Sequence, residues 1–369
     1  MKHAVSIIIP ARNEEKIIAK AIESMQQQIY PRKEIIVMDN ASTDRTAEIS
    51  RKHKVKVIKN EKNIGIGNSV NRGIKASKCK FTVILHADHY TNDKKWIDKM
   101  LEPFSDKKVA AVVSQRKNKD RDKMSLGERL FDSLHPPSVN TSGKLMEISI
   151  LREKADVYRK NIIEKLGYFD GDSYPHGGED VDMSIKIRQA GYKIVLSNEA
   201  MVEHVFSSHQ SSFISVFRKA FQMGQAGSEL YRRYKIDSVR RRMFLMILFS
   251  LTALPVARTD VGIFLYSLFF LLGIFSYITL SGKRIPLTVI YTLVFFLFYL
   301  QTNSNASIIS GVLLTNVMVL AYYGMHSSRN SLKEGDNLIY ALLIFPLSIA
   351  WRFTSALGYL KEELFPSKI

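Results

Sequence analysis

The chain has 369 residues, a formal net charge of +18 and a single cysteine. One cysteine excludes an internal disulfide and any multi-cysteine metal centre. Lys and Arg outnumber Asp and Glu by 43 to 30 over residues 1–240 and by 10 to 5 over residues 241–369, so most of the positive excess lies ahead of the long apolar runs. That placement favours phosphorylated ligands and anionic lipid. It disfavours nucleic acid, which needs basic and aromatic clusters on the globular face.

The opening apolar run Val5–Ile9 is short, the length of a core strand rather than a signal peptide. Pro10 closes it. Asn13-Glu14-Glu15 is expected to open a helix with apolar spacing through Ile17, Ile18, Ala21, Ile22 and Met25. Glu34–Met38 reads as a second strand ending at Asp39-Asn40, and Ser42-Thr43-Asp44 can cap the helix that follows. Val55–Ile58 is a third strand. Asn63-Ile64-Gly65-Ile66-Gly67-Asn68 is a turn before a helix over about 69–77. Gly65-x-Gly67 does not make a dinucleotide fingerprint, because the third glycine is displaced to Gly73 and the turn follows the third strand.

Phe81–Leu85 has the apolar, β-branched composition of a strand buried on both faces. It ends in His86-Ala87-Asp88-His89, three side chains able to hold a metal. Ligands of open α/β sheets sit beyond the carboxyl ends of the strands. Asp88, helped by His86 or His89, is therefore the expected meeting point of a divalent cation and a phosphate. Four strand–helix alternations in about 90 residues imply a mostly parallel, Rossmann-like sheet.

Residues 94–104 are expected to be helical and Val109–Val113 to be a strand. Residues 115–147, polar and carrying Pro136-Pro137, read as a long loop. Gly177-Gly178-Glu179-Asp180 precedes a helix over Met183–Ala190, where small residues leave room for a substrate beside two carboxylates. Helix capping is the bland reading of Glu179-Asp180. Tyr192–Leu196 is a further strand, followed by Val202-Glu203-His204.

Residues 211–242 read as amphipathic helices, with Phe213, Val216, Phe217, Ala220 and Phe221 on one stripe and Arg218, Lys219, Arg232, Arg233 and Arg240–Arg242 supplying charge. This suits a surface of anionic lipid. Met243–Ala257, Val261–Leu280, Pro286–Leu300 and Ala306–Tyr323 are expected to span a membrane, and Leu338–Leu360, with Arg352 inside it, to span or lie in the interface. Basic links at Arg241-Arg242, Lys283-Arg284 and Arg329/Lys333 alternate with nearly neutral ones, which places residues 1–210 in the cytoplasm. The expected organisation is a domain over 1–210, juxtamembrane helices over 211–242, and a transmembrane region over 243–369.

The ordered set Ile8-Ile9-Pro10-Ala11-Arg12-Asn13-Glu14-Glu15, Val37-Met38-Asp39-Asn40-Ala41-Ser42-Thr43-Asp44, Asn63-x-Gly65, Asn71-Arg72-Gly73, Leu85-His86-Ala87-Asp88, Gly178-Glu179-Asp180-x-Asp182 and Val202-x-His204 resembles the family 2 glycosyltransferases. The resemblance covers about 200 of the 369 residues, and the apolar spans are similar to the membrane-bound branch that includes succinoglycan-type transferases. It implies a GT-A fold and an inverting transfer of one sugar from a UDP- or GDP-linked donor to a lipid-linked acceptor. Pro10, Asn13, Glu14, Asp39, Asn63, Asn71, His86 and Asp88 would bind the donor. Asp88, with His86 and His204, would hold Mn2+ or Mg2+. Asp180 would be the general base, and Glu179 would shape the acceptor site. The family usually has Asp-x-Asp where this chain has His86-x-Asp88. The Gln-x-x-Arg-Trp signature of processive synthases is absent, which argues against a polymerising enzyme. The alternatives are a polyprenyl-phosphate sugar synthase of the dolichol-phosphate type and a non-catalytic protein that binds nucleotide sugars.

Overall fold

The computed structural model describes residues 3–118, 123–137, 143, 145–151, 154–206, 212–235, 327–328, 330–331 and 338–364. The expected spans at 243–257, 261–280, 286–300 and 306–323 lie outside the described residues.

A nine-stranded sheet organises the first part of the chain. Its strands are β1 (Val5–Ala11), β2 (Lys33–Asp39), β3 (Lys56–Lys59), β4 (Phe81–Leu85), β5 (His89–Tyr90), β6 (Val109–Asn118), β7 (Met146–Ile148), β8 (Ala155–Arg159) and β9 (Lys193–His204). The order across the sheet is β3-β2-β1-β4-β8-β6-β9-β5, with β7 also on β9. β1, β2, β3, β4, β6 and β9 run in one direction, and β5, β7 and β8 run against them. The expected mostly parallel α/β sheet is present, with antiparallel β8 inserted between β4 and β6.

Alternation along β1 builds a core on each face. Val5, Ile7, Ile9 and Ala11 point into one cluster, and Ile8 points into the other. β4 repeats this, with Phe81, Val83 and Leu85 on the first face and Ile84 on the second. Successive strand side chains face opposite ways, so a strand covered on both sides must be apolar throughout. The first face is covered by α1 (Ile18–Gln26), α2 (Thr46–Lys52) and α4 (Trp96–Leu101), the second by α3 (Ile66–Ala76), α6 (Lys160–Lys165) and α7 (Glu179–Gln189).

Some boundaries differ from the sequence reading. Asn13-Glu14-Glu15 do not open α1. They form a turn in which Asn13 has φ +57°, braced by Ser42 Oγ, Thr46 Oγ1 and Asp44, which accept the backbone N–H groups of residues 13, 14 and 15. The stretch 115–147 is not all loop. β6 runs on to Asn118, and α5 (Leu126–Leu134) starts at a capping box in which Ser125 Oγ accepts from Glu128 N and Glu128 accepts from Ser125 N.

Two long helices follow. The Phe213–Tyr234 helix packs along the Leu338–Leu364 helix, and Leu130 of α5 joins Val216, Ala220, Ile344 and Trp351 in a third small core. Within the second helix, Leu342–Glu363 is the one stretch among the described residues long and apolar enough to cross a membrane, with mean hydropathy 1.2. Ile214, Ile339 and Leu342 are exposed.

Candidate active site

The carboxyl ends of β1, β2 and β4 lie side by side, because their registers pair Ala11 with Asp39 and Ile8 with Ile84. Asp39 ends β2 fully buried. Its Oδ1 accepts the N–H of Ser42 at 3.0 Å, while its Oδ2 is buried with no hydrogen-bond partner. A buried carboxylate oxygen without a donor is costly unless a ligand supplies one. Glu14, on the turn after β1, is pushed up to about 8 by burial and by the negative charges of Asp88 and Asp44.

Past β4 the chain reverses and β5 pairs with β9, setting His89 opposite His204. The two rings stack with centroids 4.7 Å apart. Asp88 bridges them: His89 Nδ1 lies 2.7 Å from its Oδ1 and His204 Nε2 lies 3.4 Å from its Oδ2. Burial alone would raise the Asp88 carboxyl, but the two imidazoles hold it well below the usual range. One ligand atom from each of Asp88, His89 and His204 lies within 4.8 Å of the others. His89 Nε2 and His204 Nδ1 are buried without a hydrogen-bond partner. Two imidazoles and a carboxylate fit a borderline divalent cation better than Mg2+, which prefers oxygen ligands.

A cleft is lined by Ile66, Gly67, Val70, Ile84, His86, Lys154, Asp156, Tyr158, Phe169, Glu179 and Asp180. The left-handed Gly177 and Gly178, at φ +121° and +117°, turn the chain into α7 so that Glu179 and Asp180 stand in its first turn. Asp180 Oδ1 accepts from Val181 N at 2.8 Å. Lys154 Nζ is bonded to Asp180 Oδ2 and lies 3.8 Å from Glu179 Oε1. Burial would raise Asp180, yet the Lys154 ammonium holds it below its ordinary value. Burial raises Glu179 despite the same ammonium. His86 is pushed down to about 3, first by burial and then by Lys154. Asp88 and Asp180 both act on His86 electrostatically.

The residues expected from the sequence separate into three groups. Asp88 and His204 come together with His89, while His86 is not part of that group and lines the cleft with Glu179 and Asp180. Pro10, Asn13, Glu14 and Asp39 cluster at the ends of β1 and β2, with Pro10 paired to Met38. Asn63 and Asn71 brace loops. Asn63 Oδ1 accepts from Asn40 at 2.8 Å, and both ends of the Asn71 amide bond the backbone of Phe169. Sequence reasoning missed Lys154. Lys219, expected as charge on an amphipathic helix, donates from its Nζ to His176 O at 2.8 Å beside the two glycines. Asp182 of the Glu-Asp-x-Asp motif is an anchor, fully buried, 2.7 Å from Lys186 Nζ and 2.6 Å from the Tyr234 hydroxyl that donates to it.

Carboxylates at the strand ends of an α/β sheet thus stand with an acidic–imidazole group and a carboxylate-lined cleft on a GT-A-like fold. Residues 6–167 match Glycosyl transferase family 2. An O-antigen chain rhamnosyltransferase of Salmonella typhimurium is 28% identical over 229 residues, 60% of this chain and 71% of that one. A second O-antigen chain rhamnosyltransferase, of Salmonella anatum, is 26% identical over 208 residues, and the match spans 64% of its length. Among solved structures, a mannosyltransferase from Pyrobaculum calidifontis in complex with GDP-Man and Mn2+ shares the fold with a TM-score of 0.54 at 14% identity, covering 100% of this chain and 89% of that one. Residues 6–167 thus carry a glycosyl transferase family 2 domain, and the chain is a glycosyltransferase.

Proposed function

We propose that the chain is an inverting, metal-dependent transferase that moves one sugar from a UDP- or GDP-linked donor to a lipid-linked acceptor at the cytoplasmic face of a membrane. The observation that carries this reading is His86, which lines the cleft with Glu179 and Asp180 and stands within electrostatic range of Asp88 as well. A diphosphate at Asp88 and an acceptor hydroxyl at Asp180 would then flank the same sugar.

Asp39, with its unpartnered buried oxygen, would accept a hydrogen bond from the base, while Pro10, Asn13 and Glu14 line the nucleoside and phosphate side. Asp88, His89 and His204 would hold Mn2+, which when bound neutralises the leaving diphosphate. Asp180 takes the proton as the acceptor O–H bond breaks. The acceptor oxygen forms the new bond to the anomeric carbon from the opposite face, and the electron pair of the old bond leaves with the nucleoside diphosphate. Glu179, whose carboxyl burial raises above its ordinary value, shapes the acceptor side.

The lipid-linked acceptor is supported by the apolar runs after residue 242, by the basic Phe213–Tyr234 helix, and by exposed Ile214, Ile339 and Leu342. Two relatives are O-antigen chain rhamnosyltransferases, which favours a saccharide acceptor. The test incubates membranes holding the full chain with radiolabelled UDP- and GDP-sugars, Mn2+ and lipid extract. Label is expected in the lipid fraction and lost with Asp88→Ala and with Asp180→Asn. Equal labelling by both variants contradicts the assignment.

A further inference from the structure

Lys154 is a lysine in a backbone conformation that suits glycine, with φ +59°. A side chain there is strained, and such strain persists where the surroundings over-determine it. Two distant segments fix this residue. Its carbonyl accepts the N–H of His86 at 3.0 Å, just past β4. Its Nζ is bonded to Asp180 and lies 3.8 Å from Glu179 Oε1. Glu179 Oε2 is buried with no hydrogen-bond partner.

An ion-paired carboxylate is a poor proton acceptor, because the ammonium stabilises its charged form. If Asp180 is the base, the pair seen here is a resting arrangement. The ammonium has a second carboxylate within reach.

We propose that Lys154 is a positioning residue: it holds the Asp180 carboxylate ionised and aimed into the cleft, then passes to Glu179 as the acceptor hydroxyl takes its place on Asp180. The proposal rests on the general-base reading of Asp180. The groups facing this pair are His86 after β4, Asp156 and Tyr158 on β8, Glu179 on α7, and Lys219 on the Phe213–Tyr234 helix. Of these, Glu179 has an oxygen 3.8 Å from Nζ and stands on the same helix turn as the base.

The experiment labels aspartate side-chain carboxyl carbons with 13C in the full-length protein in detergent micelles. The Asp180 signal is the one absent from Asp180→Asn. Lys154→Met is expected to shift its titration midpoint upward, and Lys154→Arg to restore it. An unchanged midpoint in Lys154→Met overturns the proposal, whatever the enzyme transfers. The companion readout is nucleoside diphosphate release from UDP- and GDP-sugars in the presence of lipid extract. Lys154→Met is expected to move the acid limb of the rate profile upward by the same interval, whereas a merely structural defect lowers the rate equally at all pH. Glu179→Gln is expected to lower kcat with KM for the donor unchanged, and wild-type kcat in Glu179→Gln overturns the handover. Full activity of Asp180→Asn would sink the base reading, separately from the carbon titration.

Discussion

The Phe213–Tyr234 helix meets the Leu338–Leu364 helix with no room for a side chain at its crossing. A Cβ added to Gly224 would lie 1.9 Å from the carbonyl oxygen of Ser355 and 2.7 Å from the amide nitrogen of Tyr359. Ordinary contact begins at 3.4 Å, so Gly224→Ala forces a backbone separation of about 1.5 Å. Both obstacles are main chain, and no rotamer change relieves them. Overpacking of this kind costs about 1–3 kcal/mol. The same helix carries Lys219, whose Nζ donates to His176 O at 2.8 Å next to Gly177. A displacement of about 1.5 Å along that direction breaks the bond. Gly224→Ala is therefore expected to lower the melting temperature and the transfer rate together, and Gly358→Ala, whose Cβ would meet Phe221 O at 2.0 Å, to do the same. The assay is a thermal melt of the full chain in detergent beside the membrane transfer assay. A variant with unchanged melting and unchanged transfer refutes the close crossing.

Glu14 keeps its proton to about 8 in the folded chain, against an ordinary 4.5. Its contribution to stability is full below 4.5 and is lost as pH rises through about 8. Glu14→Gln should gain stability over wild type as pH rises across that window, and a constant difference in melting temperature from pH 5 to 9 counts against it. Asp182, fully buried and in contact with Lys186, Arg233 and Tyr234, should cost about 3 kcal/mol when replaced by Asn, near the low end for a broken buried pair because the two cations keep some contact with water. Urea unfolding reads this directly, and a midpoint unmoved from wild type would show that the cluster is not an anchor.

Much of the fold was legible because β1 and β4 are apolar on both faces, a pattern that only a covered sheet explains. Asp39, Asp88 and Asp180 were legible as carboxylates at two strand ends and a helix start. Lys154 was not. It reaches Asp180 because antiparallel β8 lies next to β4 and because residue 154 adopts a left-handed conformation, neither of which has a periodic signature. His89 was named only as an alternative to His86, since its pairing with His204 depends on the β5–β9 register. α5 starts at a capping box, Ser125-x-x-Glu128, inside a stretch whose charge and Pro136-Pro137 read as loop. Asp182, read within the family motif, proved to face the Phe213–Tyr234 helix, a contact made across 51 residues of chain.

The central claim is that a metal-held diphosphate and a carboxylate base share one cleft. It is tested most directly by crystals of the full chain grown with UDP or GDP and Mn2+, with anomalous data collected for manganese. The expected result is one manganese peak bounded by Asp88, His89 and His204, with the nucleotide's terminal phosphate on the side facing Asp180. Manganese elsewhere, or Asp180 shut away from the phosphate by the sheet, would contradict it.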